Sequence, residues 1–255
     1  MNILLTNDDG IEAPGLLAVL EALPRYAKAV MVAPSSEKSA SSHSITLGGQ
    51  LRVEAREKGG VRQYAVHGTP ADCVKFALSE LKDFVPDLIV SGFNQGSNTG
   101  VSVYYSGTIS AAREGLINRI PSMAISLCSK TFREYAVCQD VTRRFIQGYA
   151  QSAFPRDAML NINVPPVSLR EVRGIKITKQ ASSRFIEEFV PKTIHGNVHI
   201  YTLAGEIEVC DPDGTSDEEA VAAKYISVTP LKLDLTDYQS MAVLDRWVKK
   251  SEENR

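Results

Sequence analysis

The sequence predicts an α/β protein built on a mostly parallel sheet, and three observations carry that reading. Short apolar runs recur at Met1–Leu5, Ala27–Ala33, Asp87–Ser91, Pro121–Leu127 and Met159–Val164. Runs of that length bounded by turn residues read as buried strands. Segments of helical length and periodicity separate them, which implies βαβ units and parallel pairing. The loops that follow several strands are rich in Asp, Asn, Ser and Gly, at the sheet edge where open α/β folds bind ligands.

In chain order, the first strand runs into Asn7-Asp8-Asp9-Gly10, where Asp-Gly breaks it. Pro14 suits a first helical turn ahead of Leu16, Leu17, Val19, Leu20 and Leu23. Pro34 ends the second strand. The Ser-rich loop Ser35–Ser44 holds Lys38, Ser39 and His43 and exceeds a simple connection, which marks it as a candidate functional loop. Gln50–Glu54 and Arg62–Val66 read as strands joined through Gly59-Gly60. Thr69 is an N-cap with Pro70 at the first helical position, for a helix with Val74, Phe76, Ala77, Leu78 and Leu81 on its apolar side. The strand at Asp87–Ser91 opens into a Gly/Asn-rich loop, 92–100, whose residues tolerate left-handed backbone and leave amides free to face a ligand. Ser106-Gly107-Thr108 opens a helix over Ile109–Ile117; such a start serves either as a plain cap or as an anion site. A further helix spans Phe132–Tyr149, and Pro165-Pro166 closes the strand Met159–Val164.

Beyond about residue 165 the texture changes. Gly174–Lys179 reads as a strand, Phe185–Leu203 as a long hairpin with His195-Gly196-Asn197 at its tip, and Asp211–Asp217 as a polar loop. A short helix starts over Glu218–Ala223, a strand covers Tyr225–Leu231, and Asp237–Val248 forms a last amphipathic helix whose Trp247 is expected to pack against the core. The chain reads as one domain, 1–255, with a core of about 1–165 and a C-terminal extension of about 166–255. The exposed hairpin of that extension is expected to make oligomer contacts.

Composition excludes several classes. The 255 residues are 44% hydrophobic and 23% charged with a net charge of −2, so no whole-chain basic field points to nucleic acid. Cys73, Cys128, Cys138 and Cys210 are scattered without a C-x-x-C pair, which argues against zinc and disulfide frameworks and for buried thiols in a reducing compartment. The N-terminus enters a strand directly and no run reaches membrane-span length, so the expectation is a cytoplasmic protein without a membrane partner.

The strand ends together offer Asp8 and Asp9, Ser39, Asn94 and Asn98, and the helix start Ser106-Gly107-Thr108. These oxygen donors suit a hard cation such as Mg²⁺ or Mn²⁺. A carboxylate-poor shell beside an anion-binding helix start suggests a phosphoryl substrate bridging metal and helix. The metal would offset phosphate charge and acidify a water, and helix N–H groups would hold the oxygens on which charge builds. No cysteine, and no serine with an adjacent His and acid, argues for a covalent route. Taken alone, Asn-Asp-Asp-Gly reads more simply as a polar turn in which one Asp caps a helix.

The residues also carry a resemblance. ILLTNDDGIEAPG (3–15), SHSIT (42–46), HGTPADCV (67–74), VSGFNQGSNTG (90–100), YYSGTISAAREG (104–115), INVP (162–165) and YISVTPLKLDLT (225–236) span nearly the whole chain in order and resemble the SurE survival-protein family of metal-dependent nucleotide phosphatases. The resemblance implies one divalent ion per subunit (Mg²⁺, Mn²⁺ or Co²⁺) on Asp8, Asp9, Ser39 and Asn94, and a substrate phosphate site at Asn98, Ser106, Gly107 and Thr108. It implies hydrolysis of nucleoside 5′- and 3′-monophosphates, with short polyphosphate as a substrate in some members. It also implies a Rossmann-like three-layer sandwich whose C-terminal part exchanges between subunits of a homodimer or homotetramer. Departures from the family pattern are Phe93, where Ile is usual and the pocket wall would change, the interrupted Thr215-Ser216-Asp217, and Lys224 before Tyr225.

Other residues carry weaker signals. His43 is a candidate to protonate a leaving alkoxide, beside an equal claim to a structural hydrogen bond. Asp8 or Asp9 would serve equally to orient an attacking water, and Asp9 is taken as the catalytic one. His67 is expected to anchor its turn, His195 and His199 to be surface groups, Tyr104 and Tyr105 to pack in the core or an interface, and Asp72 to sit in a first helical turn. The rivals to a direct hydrolase are an aspartyl-phosphate enzyme using Asp8 or Asp9 and a nucleotide-binding sensor without turnover. An RNA-binding factor is disfavoured by the charge and by the lack of aromatic-basic interleaving.

Overall fold

The computed structural model describes all residues except 152–154, 196, 211–212 and 254–255. The chain order is β1 (Asn2–Thr6), α1 (Pro14–Ala22), β2 (Lys28–Pro34), β3 (Val53–Lys58), β4 (Val61–Val66), α2 (Pro70–Glu80), β5 (Leu88–Gln95), α3 (Ser102–Tyr105), α4 (Gly107–Ile117), β6 (Ser122–Leu127), α5 (Ala136–Ala150), β7 (Met159–Val164), β8 (Ile175–Ile177), β9 (Ser183–His195), β10 (Val198–Val209), α6 (Asp217–Ala222), β11 (Ile226–Leu231) and α7 (Tyr238–Glu253).

Nine strands form one sheet in the order β3-β4-β2-β1-β5-β6-β7-β11-β8. Its pairs are parallel except β3–β4 and β7–β11. The helices make this a three-layer sandwich. Ile3, Leu5, Val90 and Ile125 meet Leu16 and Val19 of α1 and Val141 and Ile146 of α5. On the other face Leu4, Val32 and Ile89 meet Val74 and Ala77 of α2 and Ala111 of α4. The strands are apolar on both faces because both are covered; each such fully buried aliphatic side chain contributes roughly 2 kcal/mol. The chain leaves β1 toward β2 on one side and returns to pair β5 on the other. The carboxyl ends of β1 and β5 therefore form the switch point where a doubly wound sheet opens a crevice.

Local chemistry explains several junctions. Thr69 and Asp72 form a capping box at the start of α2, so Asp72 stands in the first turn as expected. α1 lies tight against the end of β5: a Cβ on Gly15 would overlap the Phe93 carbonyl oxygen. Gly148 in α5 has open space around it.

Several expectations shift. The hairpin strands fall at Val53–Lys58 and Val61–Val66, because the Gly59-Gly60 turn is tighter than the spacing implied. β5 runs on to Gln95, so Asn94 stands on a strand end rather than within a loop. α3 is a short helix that the 92–100 loop signal concealed. β8 and β11 join the main sheet, while β9 and β10 form a separate two-stranded hairpin longer than Phe185–Leu203. Gly196 of its expected tip, and residues 211–212 of the expected polar loop, lie outside the described residues. Trp247 does not pack against the core. It is 67% exposed, and α7 buries none of its residues. Amphipathicity says that a face needs covering, not which chain covers it.

Gly15→Ala should lower the thermal midpoint, at a cost of about 1–3 kcal/mol or more for an overpacked contact against backbone. Gly148→Ala in an open helical position should raise stability by about 0.5–1 kcal/mol. Thermal unfolding of both variants checks the pair; equal midpoints would contradict the close approach of α1 to β5.

Candidate functional site

The site begins with the turn after β1. Asn7 closes it with its own side chain: Nδ2 donates to the Gly10 carbonyl at 2.9 Å, and the Gly10 N–H donates to Oδ1 at 3.2 Å. Gly10 takes φ +107°, a conformation that L side chains rarely adopt. The Ile11 N–H reaches the Pro34 carbonyl and the Lys38 N–H the Asp8 carbonyl, both at 2.8 Å, which fastens the loop after β2 to this turn.

Asp8 is 4% exposed. It receives the Thr108 N–H at 3.1 Å and the Thr108 hydroxyl, and so ties the end of β1 to the first turn of α4. Burial nevertheless raises its carboxyl above the usual range, against the lowering effect of those two bonds. Asp9 is half-buried and accepts the Gln95 N–H at 3.2 Å. Burial and the charge of Asp8 push it up to about 6, with Glu37 adding and Arg133 opposing. Asn94 donates its Nδ2 to the Gly96 carbonyl at 2.7 Å, which leaves its amide oxygen available. Ser39 is exposed, and its hydroxyl donates to Glu37 Oε1 at 2.5 Å, leaving oxygen lone pairs free.

These donors fit a hard cation. Burial raises both neighbouring carboxyls above their usual range, with the charge of Asp8 adding at Asp9, and a cation would reduce that cost. Among the described residues no group of three or more His, Cys, Asp or Glu could hold a metal. Two carboxylates, an amide oxygen, a hydroxyl and water suit Mg²⁺ or Mn²⁺ better than zinc.

The start of α4 is the candidate anion site. Ser106 caps it by accepting the Ile109 N–H at 3.0 Å. Both donors of Thr108 are taken up by Asp8, whereas the Gly107 N–H has no carbonyl one turn back. Gly107 is needed for space, since a Cβ there would stand 2.8 Å from Asp8 Cβ, 2.9 Å from Ser41 Oγ and 3.0 Å from Pro70 Cγ. The Ser41 hydroxyl is buried without a hydrogen-bond partner among the described residues. An unpaired hydroxyl against a helix start marks a place for an acceptor. Asn98 lies nearby in sequence and is 6% exposed; its Nδ2 donates to Ser126 Oγ at 2.9 Å.

His43 is fixed rather than free. Its Nε2 lies 3.0 Å from Glu114 Oε2, and Glu114 is 1% exposed. Burial pushes Glu114 up, but hydrogen bonds from His43 and Lys75 outweigh it and hold the carboxyl below its usual range. The same loop is pinned by Ser42 to the carbonyls of Tyr104 (2.7 Å) and Tyr105 (2.9 Å), and by Thr46 to Asp72 at 2.9 Å. His67 pairs with Glu54 across the hairpin, as an anchor of its turn would, and His199 is exposed. Tyr104 and Tyr105 are 49% and 55% exposed, so neither is a core residue of this chain. Phe93 is fully buried and stacks on Tyr135 with centroids 5.9 Å apart, so it fills the core rather than the pocket wall.

Sequence reasoning missed Ser41, Lys75, Glu114 and the wall around Gln95, where Tyr135 donates to Gln95 Oε1 at 3.0 Å and Gln95 Nε2 to the Phe132 carbonyl at 2.8 Å. Ser41 had one available signal, its place in the Ser-rich loop. The others act through contacts across the fold.

A mostly parallel sheet with an acid pair and a helix start at its switch point places the chain among doubly wound α/β proteins. Comparison narrows the class. The profile described as "Survival protein SurE" matches residues 3–187. The chain is similar to the 5′-nucleotidase SurE of Carboxydothermus hydrogenoformans, 42% identical over 98% of this chain and 97% of that one. It is similar to that of Chlorobaculum tepidum, 40% identical over 96% and 94%. A crystal structure of the SurE protein of Aquifex aeolicus superposes with a TM-score of 0.83 and 34% identity, over 97% of this chain and 99% of that one. The chain belongs to the SurE survival-protein family.

A carboxyl raised in the fold disfavours the native state once it ionises. Between the usual 3.8 and about 6 the native Asp9 keeps a proton that the unfolded chain releases, so its contribution to stability falls as pH rises through that window. In EDTA at pH 7.5, Asp9→Asn should therefore be more stable than wild type by about 1–2 kcal/mol, allowing for solvent screening. The gap should close toward pH 4. Mn²⁺ should raise the wild-type midpoint and leave the variant's nearly unchanged. Thermal unfolding with and without the ion reads all three.

Proposed function

We propose that the protein is a divalent-metal-dependent phosphomonoesterase that hydrolyses nucleoside 5′- and 3′-monophosphates to nucleoside and phosphate, with short polyphosphate as a further substrate. One observation carries the reading: two adjacent carboxyls, Asp8 and Asp9, both raised by burial, stand at the sheet's switch point, and Asp8 is bonded to the capped start of α4. The relatives named 5′-nucleotidase SurE supply the substrate class.

Asp8, Asp9, Ser39 and Asn94 would hold one Mg²⁺, Mn²⁺ or Co²⁺ ion per subunit. When bound, that ion offsets phosphate charge and makes a nearby water a nucleophile near neutral pH. The Gly107 N–H, the Ser106 hydroxyl and the Asn98 amide hold phosphate oxygens, and the unpaired Ser41 hydroxyl adds a donor at the same helix start. Thr108 acts through Asp8, keeping cation side and anion side in register. Asp9 orients the attacking water. His43, set by Glu114, gives a proton to the leaving alkoxide. Water attacks phosphorus directly, without a phosphoenzyme.

The C-terminal elements are read as contacts of a homodimer or homotetramer. α7 presents Tyr238, Met241, Leu244, Trp247 and Val248 outward, and the β9–β10 hairpin exposes Phe189, Tyr201 and Leu203. Faces of that kind are covered in an assembly. Free thiols at Cys73, Cys128, Cys138 and Cys210 fit a cytoplasmic location, and no helix among the described residues is long and apolar enough to cross a membrane.

Phosphate release from a panel of nucleoside monophosphates should require Mg²⁺, Mn²⁺ or Co²⁺ and stop in EDTA. It should fall by about 100-fold or more in Asp9→Asn and by about 10–100-fold in His43→Gln. Release that survives EDTA would refute the metal site, and a trapped phosphoenzyme would refute direct attack. Nucleotide binding without release under any ion would make the protein a sensor. Light scattering should report a dimer or tetramer that Trp247→Glu weakens; a wild-type monomer at micromolar concentration would refute the assembly.

A further inference from the structure

The segment that carries Asn98 is framed by three side chains outside the donor sets above. Asn161 and Asn163 on β7 and Ser126 on β6 are each fully buried, and the strand register sets Ser126 beside Asn163. Asn161 and Asn163 alternate with Leu160, Ile162 and Val164, and Ser126 stands between Ile125 and Leu127; these five fill the core on the α1 and α5 side. The three polar residues therefore face the other way. Central parallel strands covered on both faces are normally apolar throughout, and a buried carboxamide is costly unless each of its groups is paired.

Here they are paired, and in a closed order. The Asn98 N–H donates to Asn163 Oδ1 at 2.9 Å. Asn163 Nδ2 donates to Asn161 Oδ1 at 3.1 Å. Asn161 Nδ2 donates to the Asn98 carbonyl at 2.8 Å, completing a ring of three bonds through both backbone groups of Asn98. Ser126 Oγ then takes one of the two N–H groups of the Asn98 side chain at 2.9 Å. One carboxamide N–H and the amide oxygen of Asn98 remain uncommitted to these anchors. The anchors stand on rigid strands, so they fix both the backbone and the amide plane of a residue that belongs to a connecting segment.

We propose that Asn161, Asn163 and Ser126 are positioning residues that hold Asn98 so that its remaining N–H meets a phosphate oxygen of the substrate. The inference rests on the reading of Asn98 as a phosphate ligand. The ring has a direction, which makes a near-isosteric change informative. Asp at position 161 keeps the acceptor for Asn163 Nδ2 but sets an oxygen against the Asn98 carbonyl, where a donor stood.

The test compares wild type, Asn98→Ala, Asn161→Asp and Ser126→Ala as full-length proteins. KM and kcat are measured for 5′-AMP at saturating Mn²⁺, with Ki for inorganic phosphate. The Kd for Mn²⁺ is measured without nucleotide. Asn161→Asp should raise KM and the phosphate Ki together by about tenfold and Ser126→Ala by about threefold, with smaller changes in kcat. Mn²⁺ affinity should stay within about twofold, because a positioning role for Asn98 leaves the Asp8–Asp9 side intact. Wild-type KM and Ki in Asn161→Asp and Ser126→Ala, with both raised in Asn98→Ala, would overturn the positioning role alone. Wild-type behaviour of Asn98→Ala would remove the phosphate reading itself. Parallel loss of Mn²⁺ and phosphate affinity would mean a general structural role and equally overturn the proposal. Should Asn161→Asp fail to fold, Ser126→Ala decides between the same outcomes.

Discussion

The bonds between Asp8 and the first turn of α4 are the constraint on which the rest of the site depends. A carboxylate at the end of a central strand, 4% exposed, is costly there. Thr108 partly offsets that cost with a backbone and a side-chain donor, and in doing so fixes where the helix begins relative to the sheet. Gly107 follows from the same contact, because only a residue without Cβ lets the helix start approach Asp8, Ser41 and Pro70 so closely. The loop after β2 is then held by the Lys38 N–H on the Asp8 carbonyl. Two other stretches of chain thus converge on Asp8, and Asp9 is left beside it, raised by burial and by the charge of Asp8.

What the sequence made legible follows from what is local. Apolar runs, Pro14, the Thr69–Asp72 cap and the Asp-Gly turn each act within a few residues, and they position β1, α1 and α2 within a residue or two. The oxygen donors were legible as types at strand ends, and the fold does bring the β1 and β5 ends together. Glu114 was not legible as the partner of His43, because the two lie 71 positions apart. Nor could the sequence separate Thr108 as a ligand of phosphate from Thr108 as a clamp on Asp8, since both roles need a hydroxyl at a helix start. Reading Met159–Val164 as a strand assigns no role to Asn161 and Asn163, which only their contacts with Asn98 explain.

The misplaced residue, Trp247, has a different cause. Periodicity over 237–248 correctly marks an amphipathic helix, and the exposed stripe on α7 shows the apolar face intact. What fails is the assumption that an apolar face must find its cover within the same chain. The β9–β10 hairpin raises the same issue in strand form: its residues pair with each other but not with the main sheet.

The two sides of the crevice are built by different means, and this bears on how the chemistry is distributed. The proposed cation side is made of loops after β1 and β2 and the end of β5, fastened by backbone bonds from Ile11 and Lys38, and burial raises its two carboxyls. The proposed anion side would rest on a helix start and on the buried Asn161, Asn163 and Ser126, whose polar groups pair within the protein. Asp8 belongs to both, so removing it would disturb ion binding and helix placement at once and would report on neither cleanly. Asp9 accepts the Gln95 N–H and otherwise feels the fields of Asp8, Glu37 and Arg133. Asp9 is therefore the residue whose charge can be varied while the frame stays in place, and differences between its variants and wild type speak to the chemistry of the crevice rather than to its assembly.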